Sequence, residues 1–172
     1  MQIVLGGGCF WCLEASYQLI RGVKDVVPGY AGGHTKNPNY YNTHDEDTGH
    51  AQVVRVEFDE QEISLDNILD IFWAIHDPTT PNRQGADVGP VYRSIILYND
   101  NEQKSIAEKS IERAQKLWND PIVTEVKSLD TFYEAEEYHH NYFKNNPSQA
   151  YCQVVINPKL KKVRKIFSDN LQ

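Results

Sequence analysis

Apolar residues come in short runs along this chain, and their spacing switches between the strand period of two and the helix period of 3.6. The unbroken run Ile3-Val4-Leu5 predicts a strand over residues 2–6. A helix over 9–20, closed by Gly22, and a second strand over 23–29 follow. Residues 52–59 alternate: Val54, Val56 and Phe58 share one face, and Val53, Arg55 and Glu57 the other. Ser64 then caps a helix in which Leu65, Ile68, Leu69 and Phe72 recur at i, i+3, i+4 and i+7, stopping near His76-Asp77-Pro78. A strand over 91–98 leads to a long charged helix over 101–118, broken by Pro121, and to a strand over 123–127. A short aromatic helix over 131–143, an irregular tail carrying Cys152, a strand over 153–156 and a basic helix close the chain. Residues 30–50 and 77–90 show no period and are rich in Gly, Asn, Asp and Pro. Long irregular stretches of this kind are usually functional. Strands and helices alternate without strict regularity. The expected fold is therefore α+β: a two-layer α/β sandwich with a mixed central sheet and a ferredoxin-like core.

Composition narrows the function. The 172 residues show no repeat, low-complexity tract or linker, so one domain over 1–172 is expected, large enough to bury a core without staples. A net charge of −7 argues against nucleic acid as a partner. The basic cluster from Lys159 to Lys165 reads as a solvated terminal helix. No run approaches the roughly 20 apolar residues a membrane span needs. The opening Met1-Gln2-Ile3 lacks a basic stretch followed by a long apolar one, so a cytoplasmic protein, expected to be a monomer, is the default. In that compartment three cysteines, an odd number, fit catalysis better than a disulfide framework.

Chemistry gathers at the first turn. Gly6-Gly7-Gly8 allows a tight turn and a close approach, and it delivers Cys9 to the start of a helix. Partial positive charge and free amides there favour a thiolate, the reactive form of cysteine. Phe10 and Trp11 are odd choices for a solvated turn unless they line a pocket. The Cys9-x-x-Cys12 pair is open to three readings: a redox pair, half of a zinc site, or two packed thiols. Zinc would need Cys152 or His139-His140 to complete it, and neither gives a zinc-like spacing. A thioredoxin-like fold would place the motif after a full strand–helix–strand unit, whereas here it begins nearly at residue one.

Gly8-Cys9-Phe10-Trp11 resembles the signature of the A-type peptide methionine sulfoxide reductases. Tyr30-Ala31-Gly32-Gly33, Asn37-Pro38-Asn39-Tyr40, Thr48-Gly49-His50-Ala51 and His76-Asp77-Pro78-Thr79-Thr80 resemble its successive motifs. So do the run from Arg83 to Gly89, Tyr92-Arg93-Ser94, and Phe132-Tyr133-x-Ala135-Glu136 with Tyr138-His139. They stand in family order over residues 4–152. The resemblance implies reduction of the S epimer of methionine sulfoxide, free or in proteins, with no bound cofactor and an external thiol, thioredoxin or dithiothreitol, as reductant. It makes Cys9 the nucleophile that becomes a sulfenic acid. It makes Phe10 and Trp11 the pocket for the substrate methyl, and Tyr40 and Tyr92 donors to the sulfoxide oxygen. It makes Asp87 the residue that orients the site and contacts the substrate backbone.

Residue 52 departs from the pattern. The family places a glutamate there, the proposed acid for the sulfoxide oxygen, and this chain has Gln52. An amide can hold the oxygen but cannot deliver a proton, and general acid catalysis is typically worth about 10²–10⁴-fold. Either Gln52 is an isostere introduced to slow turnover, which the intact surrounding motifs favour, or it is native and a tyrosine or an Asp87-held water supplies the proton. Regeneration is expected to use both Cys12, where many relatives have glycine, and Cys152, which matches the family's recycling cysteine on a tail able to swing inward. His139-His140 read as packing residues and Glu14 as a solvated helix-face carboxylate. Two other functions stay open: a binder of methionine sulfoxide that does not turn it over, and a general dithiol–disulfide exchanger.

Overall fold

The structure, a computed structural model, describes residues 1–45 and 47–172; Glu46, inside the irregular run 30–50, lies outside the described residues. In chain order the first elements are β1 (Gln2–Gly6), α1 (Phe10–Tyr17), β2 (Val23–Ala31), α2 (Tyr40–Asp45) and β3 (Ala51–Phe58). Then come α3 (Leu65–Ile75), the hairpin of β4 (Arg83–Gln84) and β5 (Asp87–Val88), β6 (Ile95–Tyr98), α4 (Asn101–Gln115) and β7 (Glu125–Ser128). The last are β8 (Tyr133–Glu134), α5 (Tyr142–Asn145) and α6 (Asn157–Ile166).

Six strands form one sheet in the order β7-β6-β1-β3-β2-β8. Only the β6–β7 pair is parallel, so the sheet is mixed. Its inner four strands, joined through α1 and α3, have the β-α-β-β-α-β connectivity of a ferredoxin-like core. Antiparallel register sets Ile3 opposite Val56 and Leu5 opposite Val54. The alternation read from the sequence holds: Val54, Val56 and Phe58 face the main core, where Leu13, Ile68, Leu69, Phe72 and Val163 cover them. Val53, with Val4, Ile95 and Leu97, forms a smaller cluster on the opposite face under Leu129 and Phe132. Ser64 caps α3 as expected, its Oγ accepting from the Asn67 amide at 3.1 Å. No helix among the described residues is long and apolar enough to cross a membrane.

Several boundaries differ. Helix α1 stops at Tyr17, and the chain turns before Gly22 so that Ile20 can bridge to Leu171. The irregular runs hold α2 and the β4–β5 hairpin, elements too short to leave a periodic trace. Residues 91–94 are not strand; a 3₁₀ turn at Pro90–Tyr92 precedes β6. The aromatic helix over 131–143 does not form. Tyr133 and Glu134 instead extend the sheet edge against β2, Phe132 covers the second face, and Asn141 in a left-handed conformation (φ 54°) breaks any helix. The strand over 153–156 is likewise absent: the apolar run Val154-Val155-Ile156 sits in a wide helical turn continuous with α6. Cys152, Ile156, Leu160 and Val163 share its buried face, a helical spacing, and Val154 is 73% exposed. Glu14 is no solvated carboxylate. It is 2% exposed, and its Oε2 accepts from the Asn141 amide at 3.0 Å.

Gly33 shows how tightly the site loops are held. Its amide donates to His50 Nδ1 at 3.0 Å, and a Cβ there would lie 2.3 Å from the His50 nitrogen and 2.4 Å from the Thr48 carbonyl oxygen. Those are backbone atoms with nowhere to go. Gly33→Ala should therefore destabilise the protein by about 2 kcal/mol or more, read as a lowered urea midpoint with unchanged slope.

Candidate active site

Strand β1 ends in the Gly6-Gly7-Gly8 turn, which sets Cys9 at the N-cap of α1 with extended backbone and no side-chain cap. Gly8 has φ +96°, and a Cβ on Gly7 would press on the His76 ring at 3.0 Å, so a glycine turn is required here. Cys9 is 8% exposed. Burial raises its thiol pKa well above the usual range, and the neighbouring Cys12 and Asp87 push the same way. The Trp11 amide and the Tyr151 hydroxyl pull it down without prevailing. A helix start contributes up to about 2 kcal/mol, about one and a half pKa units, while full burial moves a group by as much as about 3–5 units. The resting group is thus a thiol, not the thiolate that the helix start alone predicts.

Gln52 lies at the start of β3, 1% exposed, paired across the sheet with Tyr30. Its Oε1 accepts the Phe10 amide at 3.1 Å. That N–H is one of the orphan donors of the first helical turn. The bond commits the amide oxygen to the protein, so only the two N–H donors can serve a ligand. A glutamate could accept from the same amide, which makes glutamine a shape-preserving occupant of this position.

The aromatic wall is built in two layers. Phe10 is fully buried, its ring 5.7 Å from Tyr30 and 4.9 Å from His139. Trp11 is partly open and held on three sides. It stacks on Tyr142 at 3.6 Å, meets the edge of Tyr151 at 5.7 Å, and donates from Nε1 to His139 Nδ1 at 3.0 Å. His139 is 1% exposed, and burial lowers its pKa to about 4, so the ring is neutral. It packs, as expected, and also orients Trp11.

Tyr40, Tyr92 and Asp87 lie within electrostatic reach of the same thiol. Burial raises both tyrosine pKa values, and Cys9 and Asp87 add to each shift. Tyr151 donates to Asp87 Oδ2 at 2.7 Å, and its hydroxyl lies 4.0 Å from Cys12 Sγ. The structure thus assembles Cys9, Cys12, Phe10, Trp11, Gln52, Tyr40, Tyr92 and Asp87 around one turn. Cys152 is near but fully buried in its helical turn, not on a free tail. The thiol of Cys12 is raised by burial and feels Cys152, as Cys9 feels Cys12.

Three residues that touch the site had no role assigned from the sequence, although Glu136 stands within one of the motifs. Glu136 accepts from the Tyr30 hydroxyl at 2.9 Å, the Tyr40 amide at 3.1 Å and the Tyr138 hydroxyl at 3.3 Å, anchoring the start of α2. Tyr151 and His44 also touch site residues. Tyr151 could have been suspected from its place beside Cys152. Nothing in a single sequence signals a contact such as Glu136 to Tyr40, 96 positions apart. Among the described residues, no three His, Cys, Asp or Glu side chains gather as metal ligands would.

A buried cysteine at a helix start, an aromatic wall, hydroxyl and amide donors and two further thiols define the site of a cysteine-based oxidoreductase. Comparison with known proteins specifies the family. The family model described as peptide methionine sulfoxide reductase matches residues 1–171. A peptide methionine sulfoxide reductase MsrA from Paenarthrobacter aurescens is 60% identical over 165 residues, covering 96% of this chain and 95% of its own. The crystal structure of reduced Mxr1 from Saccharomyces cerevisiae superposes with a TM-score of 0.84 at 35% identity, covering 88% of each chain. Mxr1 in complex with Trx2 gives 0.60 at 28% identity, covering 83% of this chain and 84% of that one. The chain belongs to the peptide methionine sulfoxide reductase family.

One support of the turn is titratable. His76, 5% exposed, backs Gly7; its ring contacts Phe72 O at 2.5 Å and Ser94 Oγ at 2.8 Å, and burial lowers its pKa to about 4 from 6.5. As pH falls from 6.5 toward 4 the unfolded histidine binds a proton that the folded one refuses, so stability is lost through that window. His76 should account for about 2–3 kcal/mol of the loss between pH 7 and 4.5. Urea unfolding of His76→Gln at both values should show a correspondingly smaller difference.

Proposed function

We propose that this chain reduces the S epimer of methionine sulfoxide, free and in proteins, to methionine, with Cys9 as nucleophile. The observation that carries the reading is the placing of Tyr40, Tyr92 and Asp87 within electrostatic reach of Cys9, beside an aromatic wall, in a chain of this family. Phe10 and Trp11 hold the substrate methyl; sulfur–aromatic contacts are worth about 0.3–1.5 kcal/mol each. The Tyr40 and Tyr92 hydroxyls and the Gln52 amide hold the oxygen, and Asp87 orients the substrate backbone. Cys9 Sγ attacks the sulfoxide sulfur. Methionine leaves, and the oxygen stays on Cys9 as a sulfenic acid. No bound cofactor takes part; electrons come from an external thiol. Cys12, within electrostatic reach of both other thiols, resolves the sulfenic acid and passes the disulfide to Cys152, from which thioredoxin reduces it. The Mxr1 complex with Trx2 supports that partner.

Gln52 favours one second reading, a binder that turns over slowly or not at all. Incubation with dithiothreitol and each epimer of a blocked methionine sulfoxide decides. Reduction of the S epimer alone is expected. Binding without product would establish the binder, and disulfide reduction without either product a general exchanger. Gln52→Glu should raise the single-turnover rate by about 10-fold or more; equal rates would remove any acid role from this position.

The recycling order has its own test. Cys12→Ser and Cys152→Ser should each retain one methionine per chain without reductant and lose most thioredoxin-driven turnover. A variant that keeps full turnover takes its cysteine out of the relay.

A further inference from the structure

The site has one proton too few. Forming methionine from its sulfoxide requires a proton on the departing oxygen, and Gln52, the residue where the family resemblance places the acid, has none to give. Tyr92 contacts the same region, yet burial and the neighbours Tyr40, Asp87 and Cys9 hold its hydroxyl well above the ordinary phenol range. It can donate only if its own proton is replaced at once.

His44, on α2, is placed to do this. Its Nδ1 lies 2.6 Å from the Tyr40 carbonyl oxygen. A carbonyl only accepts, so Nδ1 carries a hydrogen whether the ring is neutral or charged. The other nitrogen, Nε2, lies 2.7 Å from the Tyr92 hydroxyl oxygen. In the neutral ring Nε2 accepts the Tyr92 hydrogen and draws it away from the substrate. In the imidazolium Nε2 donates instead, and the Tyr92 hydrogen is free to point at an oxygen in the site. The ring also packs 4.4 Å from Tyr40 and 5.5 Å from Tyr92, which fixes its plane. His44 is exposed, so water reaches the side chain whose partner is half buried. Imidazole is the side chain that takes up and releases protons near neutrality.

We infer that His44 relays a proton from solvent through the Tyr92 hydroxyl to the sulfoxide oxygen, supplying the acid that Gln52 cannot. The inference rests on the reductase reading above. In the step, the Cys9 sulfur bonds to the sulfoxide sulfur while Tyr92 passes its hydrogen to the oxygen and takes one from His44 Nε2. The hydroxyl then moves to the Cys9 sulfur as the sulfur–sulfur bond breaks, leaving methionine and the sulfenic acid. The Cys9 thiol proton goes to water and a proton from water recharges His44, so the step is neutral overall. The sulfoxide is reduced by two electrons and Cys9 is oxidised by two. This makes Gln52 one half of a working arrangement: its amide holds the oxygen while the acid comes through Tyr92.

The test is a mutant cycle read by single-turnover methionine formation from the blocked S epimer, without reductant. His44→Asn should slow the step by about 10-fold or more, with the substrate dissociation constant little changed. Placed on Gln52→Glu, the same substitution should cost much less, because the carboxylic acid bypasses the relay; this non-additivity is the signature of a shared role. No slowing by His44→Asn overturns the inference. Equal fold-losses in both backgrounds also overturn it, since a merely structural defect in α2 would not be rescued by a glutamate on β3. If neither this chain nor Gln52→Glu forms methionine from either epimer, the reductase reading itself fails.

Discussion

One hydrogen bond, from the Phe10 amide to Gln52 Oε1, holds the working parts of this protein in relation to one another. It joins the first turn of α1 to the first residues of β3. A bond of this kind contributes only about 1 kcal/mol net, but leaving a buried amide unsatisfied costs about 1–3 kcal/mol. Residue 52 must therefore present an acceptor to the helix, and the place of Cys9 follows. The Gly6-Gly7-Gly8 turn, the aromatic layers and the positions of Tyr40 and Tyr92 are all arranged around this junction.

The same bond explains why glutamine and glutamate are exchangeable in shape and not in chemistry. Either can accept from the helix; only the acid carries a proton to lose. Burial has a similar double effect on Cys9. It screens the thiol from unproductive oxidation in solvent and denies it the easy ionisation that a helix start suggests. On the proposed function, activation comes from the substrate complex, where donors around the oxygen make the sulfur electrophilic as the thiol loses its proton.

Much of the fold was legible because its core strands and α3 follow clean periods: Val54, Val56 and Phe58 on β3, and Leu65, Ile68, Leu69 and Phe72 on α3. Legibility failed where local preference and tertiary role diverge. The β-branched run Val154-Val155-Ile156 has strand chemistry, but Cys152, Ile156 and Leu160 match the helical stripe that the core accepts. The aromatic stretch near Phe132 and Tyr133 reads as a helix by composition and serves as sheet edge and cover instead. Motif resemblance brought out Cys9, Phe10, Trp11, Tyr40, Asp87 and Tyr92, which the structure gathers around one turn. The roles of Glu136, His44 and Tyr151 stayed hidden because their contacts to Tyr40, Tyr92 and Asp87 cross long stretches of chain with no periodic trace. Glu14 was misread because a carboxylate satisfied by a distant amide looks, in sequence, like any other on a helix.

The bond between Tyr151 and Asp87 has a wider consequence. Tyr151 precedes Cys152 directly, so any disulfide that draws Cys152 from its buried seat takes the tyrosine with it, and with the tyrosine a wall of the substrate site and the partner of Asp87. The arrangement that receives a substrate and the arrangement that discharges a disulfide then compete for the same few residues. On the proposed relay through Cys152, the molecule works in two strokes: a second sulfoxide is admitted only after the oxidising equivalent of the first has left.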